Sequence, residues 1–230
     1  MSGLRAKRVR SRVGARVAGP NATACFSQEG EDLILARMFE GREPGFFVDV
    51  GAHDPHRFSN TYLLYLRGWR GINVDPLPGM AEAFSKARPR DTSLEVALGA
   101  EPGVLTYHRF SDDALNTFDA DRARWLIEHS DYTLVATTDV PIRTLDDVLA
   151  EHLPPEQRIS LLTIDVEGLE EKVFAGFDLE RHRPEIICVE DLGEGDLQSP
   201  TGVVAMLISC GYVMFASTNH SRFLRSDRRR

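Results

Sequence analysis

Four carboxylates close two apolar stretches of this chain. Asp165 ends "ISLLTID" and Glu167 follows it by two residues, while Glu190 and Asp191 end "EIICVED". Gathered at neighbouring strand ends, such groups repel one another unless a cation or a shared proton intervenes. Two chemistries follow. Oxygen-only ligands suit a hard divalent ion such as Mg²⁺, which would lower the pKa of a bound hydroxyl. Without an ion, Asp165 or Glu167 is placed to act as general base toward that hydroxyl. His220, in the turn "STNHS", is a further candidate base, set against the plainer reading of a solvated loop histidine. Glu167 also has a plainer reading, charging the first turn of the helix that follows, and Glu170 and Glu171 read as solvated.

A second constellation lies upstream. "FFVDVGAHDPHRFSNT", residues 46–61, is a buried strand running into a turn that holds Asp49, Gly51 and His53. A glycine there lets the backbone come close to a ligand. The next strand, "GINVD", ends in Asp75, an acid placed to accept two hydrogen bonds from a ribose diol. A nicotinamide enzyme would show G-x-G-x-x-G at the turn, and this chain has Gly51-Ala52-His53-Asp54-Pro55-His56 instead. The missing glycines, and acids where two phosphates would sit, disfavour a nicotinamide oxidoreductase. A nucleoside with a cationic sulfonium, S-adenosylmethionine, suits this lining better. A non-catalytic module that keeps only the nucleoside pocket stays open as a further reading.

These groups need a scaffold of alternating elements, and the chain supplies it. "SQEGEDLILARMFE" reads as a helix with Ser27 as N-cap. After "FFVDV" come a helix from about Ser59, the strand "GINVD", a helix "PGMAEAFSKAR" and the strand "SLEVALG". "GVLTYHRF" adds an extra strand and "IRTLDDVLAEHL" a helix. "ISLLTID" and "EIICVED" read as central strands flanking the helix "EGLEEKVFAGF". Ser199 and Pro200 read as N-cap and first residue of a helix over "TGVVAMLISCGY", which Gly211 closes. "YVMFASTNHSRFLRS" reads as a terminal hairpin. Alternation of this kind implies an α/β fold with a doubly wound, mostly parallel sheet and a C-terminal antiparallel hairpin. Trp125 or Tyr132 would stack on a ring of the substrate, with core packing the plainer use of Trp125.

Bulk properties narrow the class. With 230 residues and 42% hydrophobic content the chain builds one sizeable domain. A net charge of -8 argues against a nucleic-acid partner, whose phosphates want a basic surface. Cys25, Cys188 and Cys210 are odd in number and set in apolar contexts, and read as reduced core thiols of a cytoplasmic protein. Residues 1–25 form a basic arm ahead of the domain at 26–230. Leu4, Val9, Val13 and Val17 would line one face of a helix there, giving membrane contact, against the plainer reading of a solvated tail.

In chain order, "FSQEGEDLIL", "FFVDVGAHDPHRFSNT", "LRGWRGINVDPLP", "LEVALG", "LLTIDVEGLEEKVFAGF" and "PEIICVE" resemble the FkbM family of S-adenosylmethionine-dependent methyltransferases. The resemblance spans about residues 26–220 and implies a Rossmann-like, seven-stranded class I methyltransferase sheet. It implies O-methyl transfer to a hydroxyl of a sugar or secondary metabolite, a small-molecule acceptor. It also implies that Asp49, Gly51 and His53 border the methionine end, Asp75 and Pro76 the ribose, and Ala97 and Leu98 the adenine. Gln28 and Asp32, from the leading "SQ...D", and Ser59, Asn60 and Thr61 would close over the cofactor, with an N-cap as the plainer use of Ser59. A looser likeness to metal-dependent sugar and macrolide methyltransferases implies Asp165, Glu190 and Asp191 as Mg²⁺ ligands.

Overall fold

The computed structural model describes residues 23–112, 115–191 and 200–228. The basic arm lies outside these residues except for its last few positions. The first half of the domain runs α1 (Glu31–Met38), β1 (Phe46–Val50), α2 (Tyr62–Leu66), β2 (Arg70–Val74), α3 (Met80–Ala87) and β3 (Thr92–Leu94). A second unit follows: β4 (Ala97–Leu98), β5 (Gly103–Phe110), α4 (Ala120–His129) and β6 (Leu134–Arg143). The chain then returns through α5 (Leu145–His152), β7 (Leu161–Ile164), α6 (Glu170–Ala175), α7 (Leu179–His182), β8 (Ile186–Glu190), α8 (Gly202–Ser209), β9 (Tyr212–Ser217) and β10 (Ser221–Ser226). None of the described helices is long and apolar enough to cross a membrane.

Seven strands form the main sheet in the order β3-β2-β1-β7-β8-β10-β9. Pairing is parallel from β3 to β8, and β10 inserts antiparallel to both β8 and β9. The near-continuous apolar strands have a physical reason: both faces of the sheet are covered. On β1, Phe46, Val48 and Val50 join one core and Phe47 the other; on β8, Ile187 and Val189 part from Ile186 and Cys188 in the same way. Leu145, Leu149, Val173 and Leu207 from α5, α6 and α8 cover the first face, and Leu35 and Leu64 from α1 and α2 cover the second. Between β1 and β7 the strand order reverses, which opens a crevice at the carboxyl ends of those two strands.

Several local expectations are corrected. "SLEVALG" is two strands in two sheets: Thr92–Leu94 borders the main sheet, while Ala97–Leu98 pairs with β6. Strand β6 itself, antiparallel to β5, completes a three-stranded sheet of order β4-β6-β5 whose core is Ala97, Tyr107, Val140 and Ile142. The N-cap of α1 is Gly30, in the left-handed region, and Ser27 instead accepts from the Asp32 backbone N–H at 3.2 Å. Helix α2 starts at Tyr62, and Ser59 Oγ accepts that residue's N–H at 3.1 Å. Thr201 caps α8, so Pro200 stands outside it, and Ser199 lies outside the described residues. Cys25 is exposed, and only Cys188 of the three thiols is buried. Trp125 is 57% exposed, stacked on His129 rather than in a core.

Candidate functional site

A cavity of about 310 Å³ opens at the sheet's switch point. Gly51 and His53 after β1, Asp75 and Pro76 after β2, Asp165 to Glu167 after β7, and Glu190 at the end of β8 line it on the main-sheet side. The second unit supplies the facing wall with Tyr107 of β5, Asn116, Thr117 and Phe118 of the connection after it and Arg122 of α4, and Gln28, Phe58 and His220 also line the cavity. A neighbouring cavity of about 510 Å³ shares His53 and is bordered by Arg57, Asp112 and Tyr132.

On the β2 side the carboxylate of Asp75 is fixed by two backbone donors. Oδ2 accepts from His53 N at 2.9 Å and Oδ1 from Leu77 N at 2.8 Å. Asp75 is only 7% exposed, so its orientation is set by the fold.

On the β7 and β8 side Asp165, Glu167 and Glu190 each bring a carboxylate oxygen within 4.8 Å of the others. Two devices make this crowding tolerable. Arg122 Nη2, from the first turn of α4, meets Glu167 Oε2 at 2.7 Å, and Asp119 at that helix's N-cap accepts the Arg122 N–H. Asp165 and Glu190 hydrogen-bond to each other, which two carboxyl groups do only when one of them holds a proton. Burial and the nearby Glu167 push Asp165 up to about 7, and burial with the charge of Asp165 raises Glu190 to about 10. Glu167 also rises through burial, with Arg122 opposing the shift. Glu190 Oε2 is buried and without a hydrogen-bond partner among the described residues. Three carboxylate oxygens at this spacing also fit a hard divalent cation. The set differs from the expected one: Asp191 lies away from the cluster, 3.3 Å from Arg222 Nε, and Glu167 stands in its place.

A glutamate whose folded value lies far above its ordinary 4.5 holds a proton that the unfolded chain has released. The folded state then binds more protons than the unfolded state, so stability falls as pH rises from about 4.5 toward 10. Glu190→Gln removes that penalty. It is expected to stabilise the protein at pH 8 by about 1–2 kcal/mol and to flatten the decline with pH. Urea unfolding of both proteins at pH 5 and pH 8 checks this, and an equal or larger decline in the variant counts against the shared proton.

Gly51 has a structural reason beside the one its position suggests. Its φ is 80°, and a Cβ there would stand 1.7 Å from the Asp165 carbonyl oxygen. The ends of β1 and β7 approach closely at this glycine, which also lines the cavity. Gly51→Ala is therefore expected to cost more than about 3 kcal/mol, combining a left-handed alanine with a backbone clash. A urea midpoint near that of the wild type would show that the two strand ends can part.

The remaining expected positions divide by location. Gln28 and His53 line the cavity, as does His220, whose Nδ1 lies 3.2 Å from Glu29 Oε1 at the rim. Asp49, Ser59, Asn60, Thr61, Asp32, Ala97 and Leu98 are not among the lining residues. Asp49 accepts from Thr61 Oγ1 at 2.6 Å inside the sheet's second face, and Asn60 Nδ2 donates to Thr163 Oγ1. Asp32 is fully buried and holds the Phe26 N–H and the Ser27 hydroxyl, which anchors the segment that carries Gln28. Ala97 and Leu98 are buried strand residues of the second sheet. Glu170, read as solvated, is buried, and its Oε1 accepts from Val166 N and Gly168 N, shaping the turn on which Glu167 sits at φ 56°. Arg122, Asn116, Thr117 and Phe118 were not foreseen, because no spacing in the sequence shows that the second sheet folds back over the crevice.

No curated protein and no solved structure matches the chain. The family model described as the methyltransferase FkbM domain matches residues 49–214, from the end of β1 into β9, and the chain belongs to that family of methyltransferases.

Proposed function

We propose that the protein is an S-adenosylmethionine-dependent O-methyltransferase acting on a hydroxyl of a sugar or other hydroxylated natural product. The observation that supports this most directly is one cavity with Asp75 on one side and the Asp165, Glu167 and Glu190 group on the other. The first suits a ribose diol, the second the removal of a hydroxyl proton. Bound S-adenosylmethionine would supply an electrophilic methyl group on a positively charged sulfur. Asp165, with its pKa raised to about 7, is the base we assign, since a group poised near the working pH accepts a proton efficiently and releases it again. As the acceptor oxygen received that methyl group and the sulfur kept the electron pair, Asp165 would take the hydroxyl proton. Acids on the wall favour the sulfonium, and Phe58 and Phe118 add apolar surface to the lining.

Arg122 on Glu167 already offsets part of the cluster's charge, and we carry Asp165 as base ahead of Mg²⁺. Isothermal titration with S-adenosylmethionine, and separately with NAD, tests the cofactor; a methyl-labelled donor offered with a panel of hydroxylated sugars tests the transfer. Binding of NAD in place of S-adenosylmethionine would overturn the proposal in favour of an oxidoreductase. Binding without turnover on any acceptor would favour a module that has kept only the nucleoside pocket.

A further inference from the structure

The loop between β1 and α2 holds two non-glycine residues in the left-handed region, His53 at φ 52° and Phe58 at φ 56°, and both line the cavity. Such conformations cost about 1–3 kcal/mol each and persist only where the surroundings over-determine them. The surroundings converge on one side chain outside the cavity. Arg88, just past α3, is 0% exposed. Its Nε and Nη2 both donate to the Pro55 carbonyl, at 2.8 and 2.5 Å. Nη2 also reaches Ser59 Oγ at 2.6 Å, and Nη1 reaches Thr61 Oγ1 at 2.9 Å. Thr61 passes the connection on by donating to Asp49 on β1. The rings of Phe84 and Tyr62 enclose the guanidinium, 4.9 and 5.1 Å away, and Asp91 lies 3.9 Å from it.

We propose that Arg88 is a positioning residue of the cofactor site, a buried clamp that grips residues 55, 59 and 61 and thereby sets His53 and Phe58 against the ligand. Three grip points flank Phe58 on either side, and the first lies two residues past His53. Only a planar fork of five donors serves a carbonyl and two hydroxyls at once; a lysine ammonium has the charge without the fork. The guanidinium also balances Asp49, whose carboxylate is otherwise enclosed by the sheet. The ligand's identity rests on the function proposed above; the clamp does not.

The test compares Arg88→Lys, the milder Ser59→Ala, and Leu207→Ala as a control that destabilises the core beneath α8. S-adenosylhomocysteine is the probe, measured by isothermal titration, and amide hydrogen exchange is followed peptide by peptide. Arg88→Lys is expected to raise Kd by roughly tenfold or more and Ser59→Ala by about threefold to fivefold, in proportion to the bonds lost. Exchange should quicken at residues 53–61 while β1 and β7 stay protected. Leu207→Ala should lower stability and leave Kd unchanged. Unchanged Kd in both loop variants, or exchange that quickens uniformly across the sheet, overturns the clamp. If the wild type fails to bind S-adenosylhomocysteine, the cofactor assignment falls. The exchange pattern of Arg88→Lys then decides the clamp alone, a local rise supporting it and a uniform rise refuting it.

Discussion

Asp75→Ala is expected to weaken S-adenosylmethionine binding by about 10- to 100-fold. Hydrogen bonds to a charged group contribute about 1.5–3 kcal/mol each, and each 1.4 kcal/mol is about a factor of ten in affinity. A second contribution acts in the same direction. The carboxylate is held by the N–H groups of His53 and Leu77, so alanine also releases the turn after β1 and leaves two backbone donors without their acceptor. Asp75→Asn separates the two effects, because its amide oxygen still accepts one of these N–H groups while the amide nitrogen cannot accept from a diol. Titration of both variants against 2′-deoxy and intact nucleoside ligands reads the ribose contact directly. Intact ligand should lose affinity in both variants, and the 2′-deoxy ligand should lose less. Wild-type affinity in Asp75→Ala would remove the ribose assignment and leave the carboxylate as a structural tie between β1 and β2.

The strands of the main sheet were legible because burial on both faces writes a continuous apolar run, and "FFVDV", "ISLLTI" and "EIICVE" carry it. Their carboxyl ends were therefore legible too, which is why Asp75, Asp165, Glu167 and Glu190 were found before their neighbourhood was known. Residues 111–143 were opaque for the opposite reason. Strand β6 is largely exposed and reads "LVATTDVPIR", with a proline and an acid inside it. Half-solvated pairing with β5 leaves little hydrophobic period to detect. So Arg122, Asn116, Thr117 and Phe118 went unread. Arg88 went unread and Asp49 was read as bordering the ligand, since an acid beside a turn ordinarily faces water or ligand. Each is compensated by the other across a fold that joins residues distant in sequence. Asp191 shows the limit of pattern alone: side chains of adjacent residues at a strand end point to opposite faces. Glu190 therefore enters the cavity while Asp191 turns to Arg222.

Asp165→Asn should produce the largest catalytic loss, a fall in kcat of about 10²- to 10⁴-fold, the range for removing a positioned general base. S-adenosylmethionine affinity should stay within a few-fold of wild type, because the ribose contact lies across the cavity. The residue's surroundings supply the reason and a signature. Burial holds Asp165 up near 7, so it is half protonated near neutrality, and the wild-type rate should rise with pH through that value and then level. Asparagine abolishes that limb and not merely the rate. It also removes a buried carboxylate whose proton the unfolded chain, with its ordinary value of 3.8, gives up far earlier. The variant should therefore be the more stable protein above about pH 5, inactive and harder to unfold at once. A cation at the cluster would reverse part of this pattern, since Glu167, Asp165 and Glu190 would then be ionised together. Chelator treatment decides between them: a rate and pH profile unchanged by EDTA supports Asp165 as base. Loss of activity restored by Mg²⁺ assigns the three carboxylates to an ion and predicts that Glu190→Gln, stabilising in either case without metal, is as inactive as Asp165→Asn.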